Sequence, residues 1–514
     1  MTLSESKKYH IALILGIAGL LVFLLCNARL TIDALITFRA VDNFVHGYGL
    51  RWNVHERVQA YTNPLWMLLH IPVYALWQNI VLVTVLLSLG CILAALLITA
   101  HTFPRRWTQL VALFLIPLAI SPAFALYAVS GLECPLTLML FAAFGRALLR
   151  APERRRWFYI SFFIALSLVN RLDEAVFYFP ISLYLLASHY RDMRWRQCWL
   201  GSLPIIGWML FSLFYYGFIF PNTKYAKLDT GISEPEYIAH GVRYLENLLA
   251  TDLFSGMALL TVAVGAPLYA LTFGKKTSIS SEMLCIAFGI TYYSCYIIYV
   301  GGDYLAWHYW LLPVFASLWW IYAVFGEYVS DRACALLTLG LLIYRIMYPH
   351  YDVMVDGPWR FNASMQKQSG GTVYLTKYFR ENASWPDVHR HDPPGITSGD
   401  VIPVFGWEHG PSMITVDNLG LADPLLARLP CETDRIIIVG HYKRAIPRGY
   451  FNALATGALD NMDPDLAQYY AKLRLIISGD LWDLQRLKEI VLFNLGRYDY
   501  LRDRYIMNHH LHPL

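Results

Sequence analysis

Charge is what this chain has least of. Only 15% of its 514 residues are Asp, Glu, Lys or Arg, and 57% are hydrophobic. A soluble domain carries about 25% charged residues. A chain so poor in charge is expected to sit in a membrane. The 41 basic and 37 acidic residues nearly cancel, and the basic ones fall mainly in short loops. No nucleic-acid module is expected. Cysteine is present but unorganised. Of the eight, Cys26, Cys91, Cys198, Cys285, Cys295 and Cys334 lie in or beside apolar runs, where a thiol acts as a small hydrophobe. Cys431 alone lies well inside the polar C-terminal region. Neither a disulfide framework nor a metal-ligand spacing follows, so no metal site is expected. Internal repeats and low-complexity segments are also missing.

What is there is a series of apolar runs near the ~20 residues that a helix needs to cross a bilayer. The runs are 10–28, 80–101, 107–127, 135–149, 157–169, 175–188, 198–218, 254–273, 282–299, 309–326 and 333–347. The first follows Lys7 and Lys8 like a signal peptide, but Asn27-Ala28-Arg29 is a poor cleavage site, which reads as a retained span. Basic residues cluster near Lys7/Lys8, Arg105/Arg106, 150–156, 191–196, Lys275/Lys276 and Arg332. The positive-inside rule puts these loops in the cytoplasm. The further run 63–77 is short and holds Pro64, His70 and Pro72. If it crossed, the middle basic clusters would face outward. It reads instead as a juxtamembrane helix lying at the interface.

The resulting expectation is a polytopic α-helical protein of about eleven spans in the plasma (inner) membrane. Its N-terminus is cytoplasmic, and residues 1–347 form the membrane domain with an external loop at 29–79. After Tyr348 the long apolar runs stop and turn signals such as Asp392-Pro393-Pro394-Gly395 and Ser398-Gly399-Asp400 begin. The segment 435–440 reads as a buried strand and 463–477 as a helix with an Asp-Pro start. Residues 348–514 are expected to form a mixed α/β extracytoplasmic domain.

This topology collects the polar clusters on the outer face. The densest is 32–66, with Asp33, Arg39, Asp42, His46, Arg51, His55, Glu56 and Arg57. Asp33 directly follows the first span, where desolvation makes a carboxylate a better base. Arg39 and Arg57 are planar forks suited to phosphate. A second cluster pairs Ser130-Gly131-Leu132-Glu133 with Asn170-Arg171-Leu172-Asp173-Glu174. A third runs from Tyr215 to Leu228, with Lys224 and Lys227 beyond Pro221-Asn222. Those lysines either snorkel or neutralise a phosphate. The fourth is Gly301-Gly302-Asp303-Tyr304 followed by Trp307-His308-Tyr309. Paired glycines allow close approach of backbone to ligand, and Asp303 and His308 can bind hydroxyls. A lipid-linked phosphosugar joins these features, with its phosphate at headgroup depth and its sugar in water. Boundary charges cost about 2.5–3.5 kcal/mol each on insertion scales, so a cluster of them invites a functional reading. The alternative is a lipid or solute transporter or flippase with an outer domain. It predicts repeats and mid-span polar residues.

The ordered motifs carry a resemblance. Asp33-Ala34-x-Ile36-x-Phe38-Arg39, Gly47-x-Gly49-Leu50-x-x-Asn53, Glu56-Arg57-Val58 and Tyr61-Thr62-Asn63-Pro64-Leu65-Trp66 resemble the first external loop of GT-C superfamily glycosyltransferases. The chain is most similar to the mycobacterial terminal arabinofuranosyltransferase branch. Ser130 to Glu133, Pro221-Asn222-Thr223 with Tyr225-Ala226-Lys227, Gly301 to Tyr304, Asp417 to Pro424 and Ile446 to Tyr450 extend the match. Two departures stand out. Members often carry two acids before the alanine, whereas here Ile32 precedes Asp33. An Arg common after Gly-Gly-Asp is replaced by His308.

The resemblance implies an inverting transfer of a sugar, arabinofuranose by analogy, from a polyprenyl-phosphate donor to a cell-envelope glycan acceptor. Neither a nucleotide donor nor a cofactor is implied. Asp33 would be the base. Arg39, Arg57 and Lys227 would hold the departing phosphate. Asp42, Glu133, Arg171, Asp303 and His308 would bind sugar or acceptor hydroxyls.

Overall fold

The structure is a computed structural model that describes residues 3–103, 106–227, 230, 232–273, 279–347, 373–374, 393–400, 402–432 and 439–511. It is mostly helical. Each of the eleven apolar runs is helical over most of its length. Among the described residues, four helices are long and apolar enough to cross a membrane: Ile80–Thr102, Trp195–Tyr216, Leu253–Thr272 and Ser281–Tyr299. Shorter apolar helices occupy Ile14–Asn27, Pro64–Trp77, Trp107–Ile120 and Leu311–Phe325.

Local chemistry sets many helix ends. Asp252, Ser280 and Asp463 accept hydrogen bonds from the first-turn amides of their helices, which satisfies donors that have no partner within the helix. The Asp-Pro start expected at 463 is present, and its helix runs Pro464–Ser478. In the 107–120 run, Pro117 has no amide to donate, and the helix widens to a π turn at Val111–Leu115 just before it. Pro64–Trp77 is 14 residues long, about 21 Å at 1.5 Å per residue. That is short of the ~30 Å hydrocarbon layer.

The chain divides into two compact units. The first comprises Met1–Thr31, Thr84–Pro204 and Pro235–Ala383. In it, the helix Cys134–Arg150 packs on Arg156–Asn170 and on Leu311–Phe325, and Ala175–His189 packs on Ser281–Tyr299. Phe103, Phe141 and Trp319 meet edge to face in its core. A short antiparallel pairing joins Arg29–Leu30 to Val373–Tyr374.

The second unit comprises Ile32–Val83, Ile205–Glu234 and Ser384–Leu514. Two parallel strands, Gly395–Gly399 and Met413–Asp417, pair in register from Gly395 with Met413 to Gly399 with Asp417. The helices that follow build a core of Leu425, Leu466, Tyr469, Leu473, Ile476 and Phe493. The loop 32–66 is built into this unit. Asn53 accepts from the Thr415 amide at 3.0 Å and donates to the Thr415 carbonyl at 3.1 Å, and Trp52 Nε1 donates to Thr415 Oγ1 at 2.8 Å. The strand expected at 435–440 falls mostly outside the described residues. Val439 and Gly440 form a turn.

Candidate active site

The clearest constellation lies in the first unit, where three loops meet. Ser130-Gly131-Leu132-Glu133 turns on Gly131, at φ 85°, and leads into the helix Cys134–Arg150, whose Pro135 fits a first helical turn. Arg171 follows the helix ending at Asn170 in extended backbone, just before the 3-10 turn Leu172–Glu174. Asp303 and His308 come from the loop after the helix ending at Tyr299. Gly301 and Gly302 start that loop with φ 86° and 75°. A Cβ on Gly302 would lie 2.5 Å from the Tyr244 ring, so this turn requires glycine. Tyr244 fastens the loop further by donating to the Leu305 carbonyl at 2.9 Å.

The side chains form one ionic network. Arg171 Nη1 donates to Glu133 Oε1 at 2.7 Å, and Nε and Nη2 grip the two oxygens of Asp173 at 3.1 and 2.9 Å. The Tyr293 hydroxyl donates to Asp173 at 2.7 Å. His308 Nδ1 lies 2.6 Å from Asp303 Oδ2, while its Nε2 lies 3.5 Å from Arg171 Nη1 and 4.0 Å from Glu133. The guanidinium also stacks over the Tyr309 ring at 4.9 Å.

Burial works against the charged form of His308. Its interaction with Cys134 and its hydrogen bond to Asp303 outweigh that and raise its pKa to about 10. Burial likewise disfavours ionised Asp173, but the Arg171 charge, with hydrogen bonds from Arg171 and Tyr293, holds it below the usual carboxylate range. Two cations therefore face three carboxylates. The network opens at one edge, since the Asp173 side chain is 22% exposed and Glu133 only 3%. Beside it, Glu174 is fully buried and accepts from Thr137 Oγ1 at 2.8 Å. Burial raises its pKa to about 8, so it is a neutral acid at pH 7.

Glu133, Cys134 and His308 offer ligand atoms within 4.8 Å of one another, enough to consider a metal ion. The Arg171 guanidinium, bonded to Glu133 and touching His308, puts a fixed positive charge in that position. The donor set therefore fits a cation poorly.

The remaining sequence candidates lie in the second unit. Asp33 is half-buried at the start of the helix Ala34–Val45 and makes no side-chain capping bond. Asp42 accepts from the Tyr74 hydroxyl at 2.7 Å and lies 3.4 Å from His46. Arg39 is buried, stacks on Trp52 at 4.6 Å and donates to the carbonyls of Trp52, Gly406 and Met413. Burial lowers its pKa to about 9. Arg57 donates through Nε to the Tyr215 carbonyl and through Nη2 to those of Ile476 and Gly479. Among the described residues, its Nη1 makes no such bond. Arg57 lines a narrow cleft of about 250 Å³, open volume included, with Gln59, Phe220, Asn222 and Tyr225. Asn222 Nδ2 is spent on the carbonyls of Gly420, Leu421 and Asp423. Lys227 stands exposed near Gly440.

The structure thus brings Glu133, Arg171, Asp303 and His308 into one network and puts Asp33, Arg39, Asp42, Arg57 and Lys227 in the other unit. Sequence reading missed Glu174 as a buried acid, although it named the motif that contains it. It also missed that Glu56 and Asp423 are fully buried. Burial raises Glu56 to about 7 and, with the Glu56 charge, Asp423 to about 8.

Two curated proteins are similar to this chain. A terminal beta-(1->2)-arabinofuranosyltransferase of Corynebacterium glutamicum is 26% identical over 366 residues, 63% of this chain and 52% of that protein. Its namesake from Mycobacterium tuberculosis is 26% identical over 324 residues, 56% of this chain and 51% of that protein. The chain is related to terminal arabinofuranosyltransferases. The resemblance read from the motifs is borne out at that level. The chain spans about half the length of these arabinofuranosyltransferases. No family model matches it, and no solved structure matches it.

Proposed function

We propose that the chain is an inverting glycosyltransferase that moves a sugar, arabinofuranose by its relatives' name, from a polyprenyl-phosphate donor to a cell-envelope glycan at the outer face of the inner membrane. The observation that carries the reading is the Glu133–Arg171–Asp173–Asp303–His308 network. Loops at the ends of apolar helices supply it, and it holds carboxylates and cations together, with the Asp173 side chain at its exposed edge. Carboxylates and charged donors orient sugar hydroxyls strongly, because charge-assisted hydrogen bonds are about twice as strong as neutral ones. Where relatives of this branch carry an Arg after Gly-Gly-Asp, His308 stands as a charged imidazolium and keeps the cation.

In this reading Asp33 takes the proton from the acceptor hydroxyl as its oxygen attacks the anomeric carbon. The bond from that carbon to the phosphate oxygen breaks, and polyprenyl phosphate leaves with the electron pair. Charge grows on the leaving phosphate, where preorganised cations lower the barrier most. Arg57, which lines the cleft and whose Nη1 makes no hydrogen bond to a carbonyl among the described residues, and exposed Lys227 suit that role. Arg39 has spent its fork on three carbonyls, so it acts by holding the loop that carries Asp33. Asp42, bonded to Tyr74, acts in the same indirect way.

The test is to incubate the purified chain with a labelled polyprenyl-phosphoryl pentose and an oligosaccharide acceptor. Labelled product with inverted configuration is expected. Product formed from a nucleotide sugar instead would overturn the donor assignment. Movement of the lipid across vesicles without any transfer would favour the transporter reading.

A further inference from the structure

The helix Leu484–Asn494 is arranged inside out. It buries Arg486, Glu489, Ile490 and Phe493. It exposes Leu484 at 80%, Val491 at 57% and, at its C-cap, Leu495 at 77%, next to Trp482 at 76%. At 3.6 residues per turn, positions 484, 488, 491 and 495 fall on one face. The buried charges are satisfied. Arg486 donates to the Ile476 carbonyl at 2.7 Å, and Glu489 accepts from Lys472 at 2.8 Å and from the Tyr498 hydroxyl. The inversion is therefore a settled packing, and the outer apolar face is left to meet something else.

The anchoring of the helix indicates what that is. Arg486 Nη2 donates to the carbonyls of Phe214 and Tyr215 at 2.9 and 3.0 Å, and Asn494 donates to Gly217 at 2.8 Å. The Trp482 ring lies 4.8 Å from that of Phe214. Gly217, at φ 83°, leaves no room for a Cβ against Ile476, so the chain turns sharply there. All these contacts are to the C-terminal end of the helix Trp195–Tyr216. That helix has 22 residues, and only 11% of its apolar window is buried by protein. Its length, about 33 Å, matches the ~30 Å hydrocarbon layer. Its last turn then stands at headgroup depth.

We propose that Trp482, Leu484, Val491 and Leu495 lie in the headgroup layer of the bilayer that the Trp195–Tyr216 helix crosses, and dock the second unit onto that lipid surface. Tryptophan favours this depth. Exposed Lys488 on that face and exposed Arg497 just beyond the helix suit anionic headgroups. The proposal rests on the Trp195–Tyr216 helix crossing a bilayer and is independent of the reaction assigned above.

The test uses the full chain in nanodiscs of phosphatidylcholine and phosphatidylglycerol, with or without nitroxide on the acyl chains near the headgroup. An environment-sensitive fluorescent amino acid replaces Leu484, Val491, exposed Leu210 or exposed Asp460, one at a time. Blue-shifted emission that the nitroxide largely quenches is expected at 484, 491 and 210, with water-like emission at 460. Quenching at 210 but not at 484 and 491 overturns the proposal while the span stands. Blue-shifted but unquenched emission at 484 and 491 also overturns it, in favour of a protein partner or a second copy. No quenching at 210 overturns the span and the proposal together.

Discussion

Arg171 and Glu133 meet at 2.7 Å across 38 residues of sequence, and the same guanidinium grips both oxygens of Asp173. Two segments that read as separate outer loops are thereby one charged surface. Removing the guanidinium would leave Glu133, Asp173 and Asp303 facing only His308. Breaking a buried pair from one side costs about 3–5 kcal/mol. Arg171→Ala is expected to lower the melting temperature and abolish transfer. Arg171→Ala with Asp173→Asn should recover part of the stability and none of the activity. Equal melting of the single and double variants would show that the two residues are not coupled.

Buried acids set a pH dependence. Glu174 and Asp423 are raised to about 8 and Glu56 to about 7. Their unfolded values lie near 4. From about pH 4 to 8, the folded chain therefore keeps protons that the unfolded chain has lost. Stability falls as pH rises through that window and levels off above it. Glu174→Gln keeps the shape and removes one titration. Its melting temperature should exceed that of the parent, by a margin that grows from pH 5 to pH 8. A constant margin across that range would refute the assignment.

Arg39 separates two roles by measurement. Its guanidinium serves three carbonyls and the Trp52 ring, a geometry that an ammonium cannot reproduce. Arg39→Lys is expected to lower stability by about 1–3 kcal/mol in denaturant unfolding. In detergent conditions where the variant stays folded, the KM for lipid donor should be near the parent value. A large rise in KM without loss of stability would return Arg39 to the phosphate.

Asp33→Asn tests the base. General-base catalysis contributes about 10²- to 10⁴-fold. A kcat loss in that range is expected, with unchanged melting and donor binding. Near-normal turnover would remove Asp33 from the mechanism.

Gly302→Ala tests the turn that carries Asp303. The added carbon would strike the Tyr244 ring, and the φ of 75° disfavours any side chain. Destabilisation of about 1–3 kcal/mol and loss of transfer are expected. Addition of Tyr244→Ala should relieve the contacts with the ring but neither the 2.8 Å approach to the Cβ of residue 244 nor the backbone strain, so only a partial recovery in melting is expected.

Sequence by itself determined the local matters. Low charge and apolar runs gave the helices, Asp463-Pro464 the start of the Pro464–Ser478 helix, and the ordered motifs the relationship to terminal arabinofuranosyltransferases. These depend on neighbours along the chain, where spacing is visible. Tertiary structure decided which charges are available. Arg39 and Arg171 look alike in sequence, each an arginine within three residues of an aspartate in a segment expected on the outer face. One is consumed by carbonyls from residues more than 360 positions away, and the other gathers three loops into an open network. An arginine's hydrogen bonds go to whatever packing brings within 3 Å. Likewise Arg486 and Leu484 exchange their expected places because carbonyls at the end of a distant helix satisfy the charge, and the apolar face is left outward.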